Sequence, residues 1–292
     1  MDYIITKDYV KVLNEDIREK LKNKPMSASS VNTITNSPGN FILDTYVENE
    51  VKKNESIYIV RGHWFHSLME EFFNNPNREI KNLVLEDLVN VSENNPQYSS
   101  QQDIRDFTKY KDLLYNGADF YWMAECIKGF KDIYYRENLD KTKDIDTELE
   151  IITDIDGIEV KAYIDAIFKD EEGYKIIDWK TGRYHENNED YHFQQTLYSL
   201  LYEKTQGKKI ENAKLAYVKF GIMEDVILDR NKALDKLKKA NEDFHKYIDD
   251  DYTFPFKEYK YDGWRKLLFG IGEGPQPNIY KRKLNKIAEV IK

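Results

Sequence analysis

Between Gly62 and Phe73 the apolar residues Trp64, Phe65, Leu68, Met69, Phe72 and Phe73 recur at spacings of three and four. That period predicts a helix with one buried face, and His66 lies on it. From Ile80 to Tyr135 the pattern stays mostly helical, and Phe107, Tyr110, Leu114, Phe120 and Met123 form an irregular stripe that indicates packing alone. The period changes at Thr147. Leu149, Ile151 and Ile152 open a strand that reaches Asp156-Gly157, a dipeptide suited to the positive φ of a tight hairpin. In the returning strand, Ile158 to Lys169, Ile158, Val160, Ala162 and Ile164 alternate with Glu159, Lys161, Tyr163 and Asp165. A turn at Asp170, Glu171, Glu172 and Gly173 leads to a third strand, Tyr174 to Lys180, which completes a β-meander. A helix is predicted from Asp190 to about Lys204 with Phe193, Leu197, Leu200 and Leu201 inward. A strand from Lys214 to Phe220 and a helix from Asn231 to about Tyr247 follow. The expected fold class is α/β of the mixed α+β kind: a central mixed sheet with an antiparallel meander, flanked by helices. Ser27 to Tyr46, with a Ser-Pro-Gly turn at Ser37, Pro38 and Gly39, is expected to begin the compact part.

Length and charge narrow the classes. A chain of 292 residues with 40% hydrophobic content can bury a large core. One decorated domain over 1–292 is expected, with a helical insertion at about 75–145 and a basic C-terminal tail at about 251–292. No apolar run approaches the roughly 20 residues of a membrane helix, and the first thirty residues mix acids and bases. No membrane partner and a cytoplasmic location are therefore expected. The single cysteine, Cys126, excludes an intrachain disulfide and a cysteine-only zinc or iron–sulfur site built from this chain. The net charge of −9 argues against coating nucleic acid by bulk electrostatics. From Asp251 to Lys292, however, nine basic residues face five acidic ones, a net of +4 that leaves −13 for the remainder. A local basic path and a merely solvated lysine-rich surface both fit that tail. No Gly-x-x-x-x-Gly-Lys phosphate loop is present, so a helicase or annealing partner would be a separate chain. Gly270, Gly272 and Gly274 fit a flexible loop better than a dinucleotide fingerprint.

The candidate chemistry lies in the meander. Residues two apart on a strand share a face, so Asp178 and Lys180 project together and Trp179 points away. If the turn at 170–173 closes symmetrically, Lys169 pairs with Tyr174, and the ladder sets Asp165 opposite Asp178. Two carboxylates that close repel unless a cation lies between them, and hard oxygen ligands select Mg²⁺ or Mn²⁺. Such a site suits phosphodiester cleavage: the cation polarises the phosphate and acidifies the attacking water, and Lys180 stabilises the developing charge. His66, carried in on its own helix, is the candidate additional ligand. Each residue alone is unremarkable, since an Asp-x-Lys on a strand is usually an exposed pair, a helix histidine usually a satisfied one, and Asp165 a solvated one. The shared register is what joins the strand groups.

These residues resemble the RecB-like branch of the PD-(D/E)xK nucleases, a group that includes the nuclease domains of recombination helicase–nucleases, CRISPR adaptation nucleases and phage exonucleases. Gly62-His63-Trp64-Phe65-His66 looks like the family's Gly-x-x-x-His helix. Tyr163-Ile164-Asp165 resembles its Gly-x-Ile-Asp motif, with Ala162 in place of the glycine. Ile177-Asp178-Trp179-Lys180-Thr181-Gly182 is close to Asp-Tyr-Lys-Thr-Gly, and Gln194-Gln195-Thr196-Leu197-Tyr198 matches Gln-x-x-x-Tyr. The resemblance implies a restriction-endonuclease-like core with helical insertions. It implies His66, Asp165 and Asp178 as metal ligands, Lys180 as the catalytic lysine, and Gln194 and Tyr198 as holding the DNA or that lysine. Ser27-Ala28-Ser29 through Pro38 and Phe41 looks like the entry segment of cluster-bearing members, with Ser37 at the cysteine position. No cysteine follows Phe254-Pro255, so no iron–sulfur cluster is expected and that end should be held by packing. Some superfamily members add a glutamate to the site. Glu148 and Glu150 are both open for that part, and neither sits in a clear motif.

The expected function is therefore a Mg²⁺-dependent deoxyribonuclease, with Mn²⁺ as the other metal, acting as an exonuclease in phage or recombination and repair DNA processing. The alternative is a catalytically inactive DNA-binding subunit that keeps the fold.

Overall fold

The computed structural model describes residues 2–47, 57–80, 83, 118–142, 144–170, 173–257 and 262–271. Among them the elements run β1 (Tyr3–Ile5), β2 (Tyr9–Val12), α1 (Glu15–Lys22), α2 (Ala28–Asn36), α3 (Pro38–Ile42), a π-helical turn (Leu43–Val47), α4 (Ile57–Asn74) and α5 (Ala118–Arg136). There follow β3 (Asp144–Ile155), β4 (Ile158–Asp170), β5 (Gly173–Lys180), α6 (Glu189–Gln206), β6 (Ile210–Tyr217), a 3₁₀ turn (Val218–Phe220), β7 (Ile222–Asp225), α7 (Arg230–Asp249), β8 (Thr253–Pro255) and α8 (Gly263–Phe269). Most of the expected insertion, including Phe107, Tyr110 and Leu114, lies outside the described residues, as do the side chain of Phe120 and the tail from 272 with Gly272 and Gly274. No described helix is long and apolar enough to cross a membrane.

The chain forms two compact units, one of Met1–Lys53, Ile152–Lys161 and Arg230–Lys292, the other of Asn54–Ile151 and Ala162–Asp229. The first holds an antiparallel three-stranded sheet in the order β1-β2-β8. Its presence corrects the expectation that the compact part begins at Ser27, because Tyr3, Ile5, Val10, Val12, Ile17 and Leu21 are already buried. Strands of three and four residues are too short for alternation to mark them. Asn14 caps α1, and a Ser27/Ser30 capping box starts α2. Pro38 then forces the break between α2 and α3. The segment after Phe254-Pro255 is held by aromatic packing and hydrogen bonds: a Cβ added at Gly39 would press on the Phe256 ring at 2.7 Å, the Phe256 N–H donates to the Asp8 carbonyl at 2.8 Å, Lys257 Nζ donates to the Thr35 carbonyl at 3.2 Å, and Trp264 Nε1 donates to Asp44 Oδ1 at 2.6 Å.

The second unit is built on the five-stranded sheet β3-β4-β5-β6-β7, antiparallel except for the parallel pair β5–β6 that α6 connects. A mixed sheet with a meander and a crossover helix was the expectation, and the hairpin turn falls at Asp156 and Gly157, with φ of 52° and 87°. The predicted strand from Lys214 to Phe220 is displaced: β6 ends at Tyr217, and Val218–Phe220 turns into β7 through Gly221 at φ 63°. Phe65, Phe72, Phe73, Phe130, Tyr134, Phe168 and Trp179 form an aromatic core beneath the sheet, with Phe73 and Trp179 stacked at 5.9 Å. Trp179 is 2% exposed. Its burial locks the face of β5 on which Asp178 and Lys180 stand.

Candidate active site

The β4–β5 ladder pairs Lys169 with Tyr174 and ends at Ala166–Ile177, so the next step sets Asp165 against Asp178 as the symmetrical turn required. There the backbone of Trp179 is held by side chains. Its N–H donates to Asp165 Oδ2 at 2.7 Å, and its carbonyl faces His66 Nε2 at 3.0 Å. The strand is thereby fixed on both sides of the tryptophan at the point where the charged groups begin.

On that face Asp178 is buried between two partners. Lys180 Nζ stands 2.6 Å from its Oδ2, and Gln195 Nε2 donates to its Oδ1 at 2.8 Å. Burial pushes the Asp178 carboxyl up in pKa, against the pull of Lys180. Burial also opposes the Lys180 ammonium, but the charge of Asp178 outweighs it and raises the lysine. Lys180 Nζ further donates to Gln194 Oε1 at 3.1 Å, and Gln194 Nε2 donates to the Tyr198 hydroxyl at 2.9 Å. Burial raises the Tyr198 hydroxyl, which therefore serves as a neutral acceptor. Gln194, Gln195 and Tyr198 share one face of α6 through the three- and four-residue spacing of a helix.

His66 meets a second set of carboxylates. Its Nδ1 lies 3.4 Å from Asp165 Oδ1 and 3.6 Å from Glu148 Oε1. One ligating atom each from His66, Glu148 and Asp165 lie within 4.8 Å of one another, a donor set of one imidazole nitrogen and two carboxylate oxygens. Burial lowers the His66 pKa, yet Asp165, Glu148 and Asp178 together overcome that and raise it to about 10. A field strong enough to retain a proton on imidazole there is strong enough to favour a divalent cation in its place. The residues present thus fit a hard metal ion.

All the residues singled out from the sequence, His66, Asp165, Asp178, Lys180, Gln194 and Tyr198, are brought together. Asp178 stands apart from the three-ligand cluster, tied instead to Lys180 and Gln195. Three neighbours were missed or left open. Glu148 joins the cluster, whereas Glu150 accepts from the Tyr163 hydroxyl at 2.9 Å. Gln195 is a fully buried amide, and a buried polar residue on an apolar helix face was its only signal. Tyr191, one turn before Gln194, carries the Lys180 ammonium 4.2 Å from its ring centroid.

A sequence profile of the PD-(D/E)XK nuclease superfamily matches residues 25–261. No curated protein matches the chain. Among solved structures, a candidate exonuclease from Eubacterium rectale is 14% identical, with a TM-score of 0.49 over 89% of this chain and 99% of that one. The protein SSO0001 is 17% identical, with a TM-score of 0.28 over 46% of this chain and 69% of that one. Neither superposition is close enough to carry an argument. The profile, by contrast, spans most of the chain and takes in every residue from His66 to Tyr198 described above. With its mixed sheet and its Asp-x-Lys strand, the chain belongs to the PD-(D/E)XK nuclease superfamily.

Proposed function

We propose that the chain is a Mg²⁺- or Mn²⁺-dependent deoxyribonuclease of the RecB-like branch that degrades DNA from its ends, in phage or recombination and repair processing. The observation that carries this reading is the placement of the Lys180 ammonium and the His66, Glu148 and Asp165 cluster around one residue of β5, Trp179. His66, Asp165, Asp178 and Glu148 would hold the cation. When bound, it polarises the scissile phosphate and lowers the pKa of the attacking water.

The chain's own groups do the rest. Lys180, kept charged by Asp178, faces the phosphate oxygens on which negative charge grows, and it orients the water. Gln194 and Tyr198 hold the lysine in place, as the bonds from Nζ to Gln194 and from Gln194 to Tyr198 support. Water adds its oxygen to phosphorus, and the bond to the leaving sugar oxygen breaks. That oxygen leaves protonated, giving a phosphomonoester and a hydroxyl end.

The test is degradation of end-labelled linear DNA, single- and double-stranded, beside closed circular DNA, with Mg²⁺, Mn²⁺ or a chelator. Loss of linear DNA with metal, sparing the circle, is expected. Cutting of the circle would make the enzyme an endonuclease. DNA bound but never cut would replace the reading with that of a binding subunit.

A further inference from the structure

We propose that Tyr191 is a positioning residue, whose ring face seats the Lys180 ammonium and keeps one of its N–H groups ready for the phosphate or the water. The inference deepens the proposed function and rests on that reading of Lys180.

An ammonium has three N–H groups. Two directions at Lys180 are taken by strong acceptors, Asp178 Oδ2 at 2.6 Å and Gln194 Oε1 at 3.1 Å. Among the described residues, the ring of Tyr191 makes the third close contact, its centroid 4.2 Å from Nζ. A π face attracts a cation but does not saturate an N–H as a carbonyl or carboxylate does. The third N–H is thus held in direction while its bonding capacity stays open. An incoming phosphate oxygen gains a charge-assisted bond without displacing one of similar strength. An aliphatic side chain at 191 would leave the same ammonium with two anchors and a freer swing.

The placement of Tyr191 is over-determined, which separates a seat from an incidental contact. Asn188 caps α6 and accepts from the Tyr191 N–H, through Oδ1 at 3.3 Å and through its carbonyl at 3.0 Å. The next residue, His192, pairs through Nε2 with Glu224 Oε1 at 3.2 Å. That same oxygen accepts from the Asn187 N–H at 2.9 Å. Upstream, the Tyr217 hydroxyl donates to the His185 carbonyl at 3.2 Å, and Tyr184 packs edge-on against the Tyr217 ring at 4.8 Å. Residues of β6 and β7 therefore fix the segment between Lys180 and α6. Tyr191, three residues before Gln194, falls on the helix face that Gln194 and Tyr198 share.

Two substitutions test the seat. Tyr191→Leu should lower kcat on labelled DNA about three- to thirty-fold, the range of a partly desolvated cation–π contact, with KM within about twofold of wild type. Tyr191→Phe keeps the face and should retain near-wild-type kcat. A readout independent of cleavage is the proton resonance of the Lys180 ε-methylene, expected upfield of the other lysines through the ring current in wild type and Tyr191→Phe, and normal in Tyr191→Leu. An ordinary shift in wild type, a Leu variant as fast as wild type, or a Phe variant as slow as the Leu variant would each overturn the inference. If no DNA is cut by wild type while the resonance behaves as expected, the nuclease reading fails and the seat stands.

Discussion

Glu148 sits within β3 at φ 46°, in the left-handed region that a side chain enters at a cost of about 1–3 kcal/mol. The conformation accompanies a carboxylate 3.6 Å from His66 Nδ1, beside Asp165. Glu150, two residues on, is bonded to Tyr163. Glu148→Gln should therefore weaken Mn²⁺ binding about tenfold or more, and Glu150→Gln should leave it within about twofold, as read by calorimetric titration. The wild-type titration carries a second signature. His66, raised to about 10, is protonated at neutral pH and must surrender that proton to become a ligand. Below about pH 10 metal binding should thus release about one proton per ion, and affinity should rise with pH, an effect visible when buffers of different ionisation enthalpy are compared. Choosing between the two glutamates was within reach of the sequence. Counted outward from the Asp156-Gly157 turn, Ile155 faces Ile158, Glu148 faces Asp165 and Glu150 faces Tyr163. Motif comparison does not supply that count, and the strained φ is invisible in sequence.

Helix α5 approaches the 3₁₀ turn after β6 at Gly129, where an added Cβ would collide with the Val218 carbonyl oxygen and come within 2.8 Å of the Gly221 nitrogen. Both obstacles are backbone, so no side chain can swing aside. Gly129→Ala should lower stability by about 1–3 kcal/mol in denaturant unfolding, a loss expected of forced backbone shifts. At Gly62, in the Gly-x-x-x-His segment, a Cβ would meet, among the described residues, only Thr181 Oγ1, at an ordinary 3.6 Å. Elements with long periodic stretches were legible: the helix around His66, the β3–β4–β5 meander and α6 all fall where periodicity put them. Those that escaped are short. β1, β2, β7 and β8 have three or four residues each, too few for alternation to mark them, and one of their pairings joins segments distant in sequence. β8, for example, pairs with β2 although some 240 residues separate them. Leu200, expected inward on α6, is half-buried, because an 18-residue helix packs along a narrower stripe than its apolar positions suggest.

For the molecule as a whole, the proposed function requires a chain of net charge −9 to bind a polyanion at a site lined by Glu148, Asp165 and Asp178. A divalent cation reverses that local sign, and Lys180 supplies the fixed positive charge beside it. Every residue of the proposed site lies in the unit of Asn54–Ile151 and Ala162–Asp229, so the chemistry is assigned to one compact body. The most direct test compares wild type with Lys180→Ala and Asp165→Asn for cleavage of labelled linear DNA in Mg²⁺, alongside DNA affinity and thermal unfolding of each protein. The account predicts that cleavage falls at least about a hundredfold in both variants while folding is retained and DNA is still bound, the size of loss expected when charge stabilisation is removed from a transition state. Wild-type cleavage rates in either variant would contradict it.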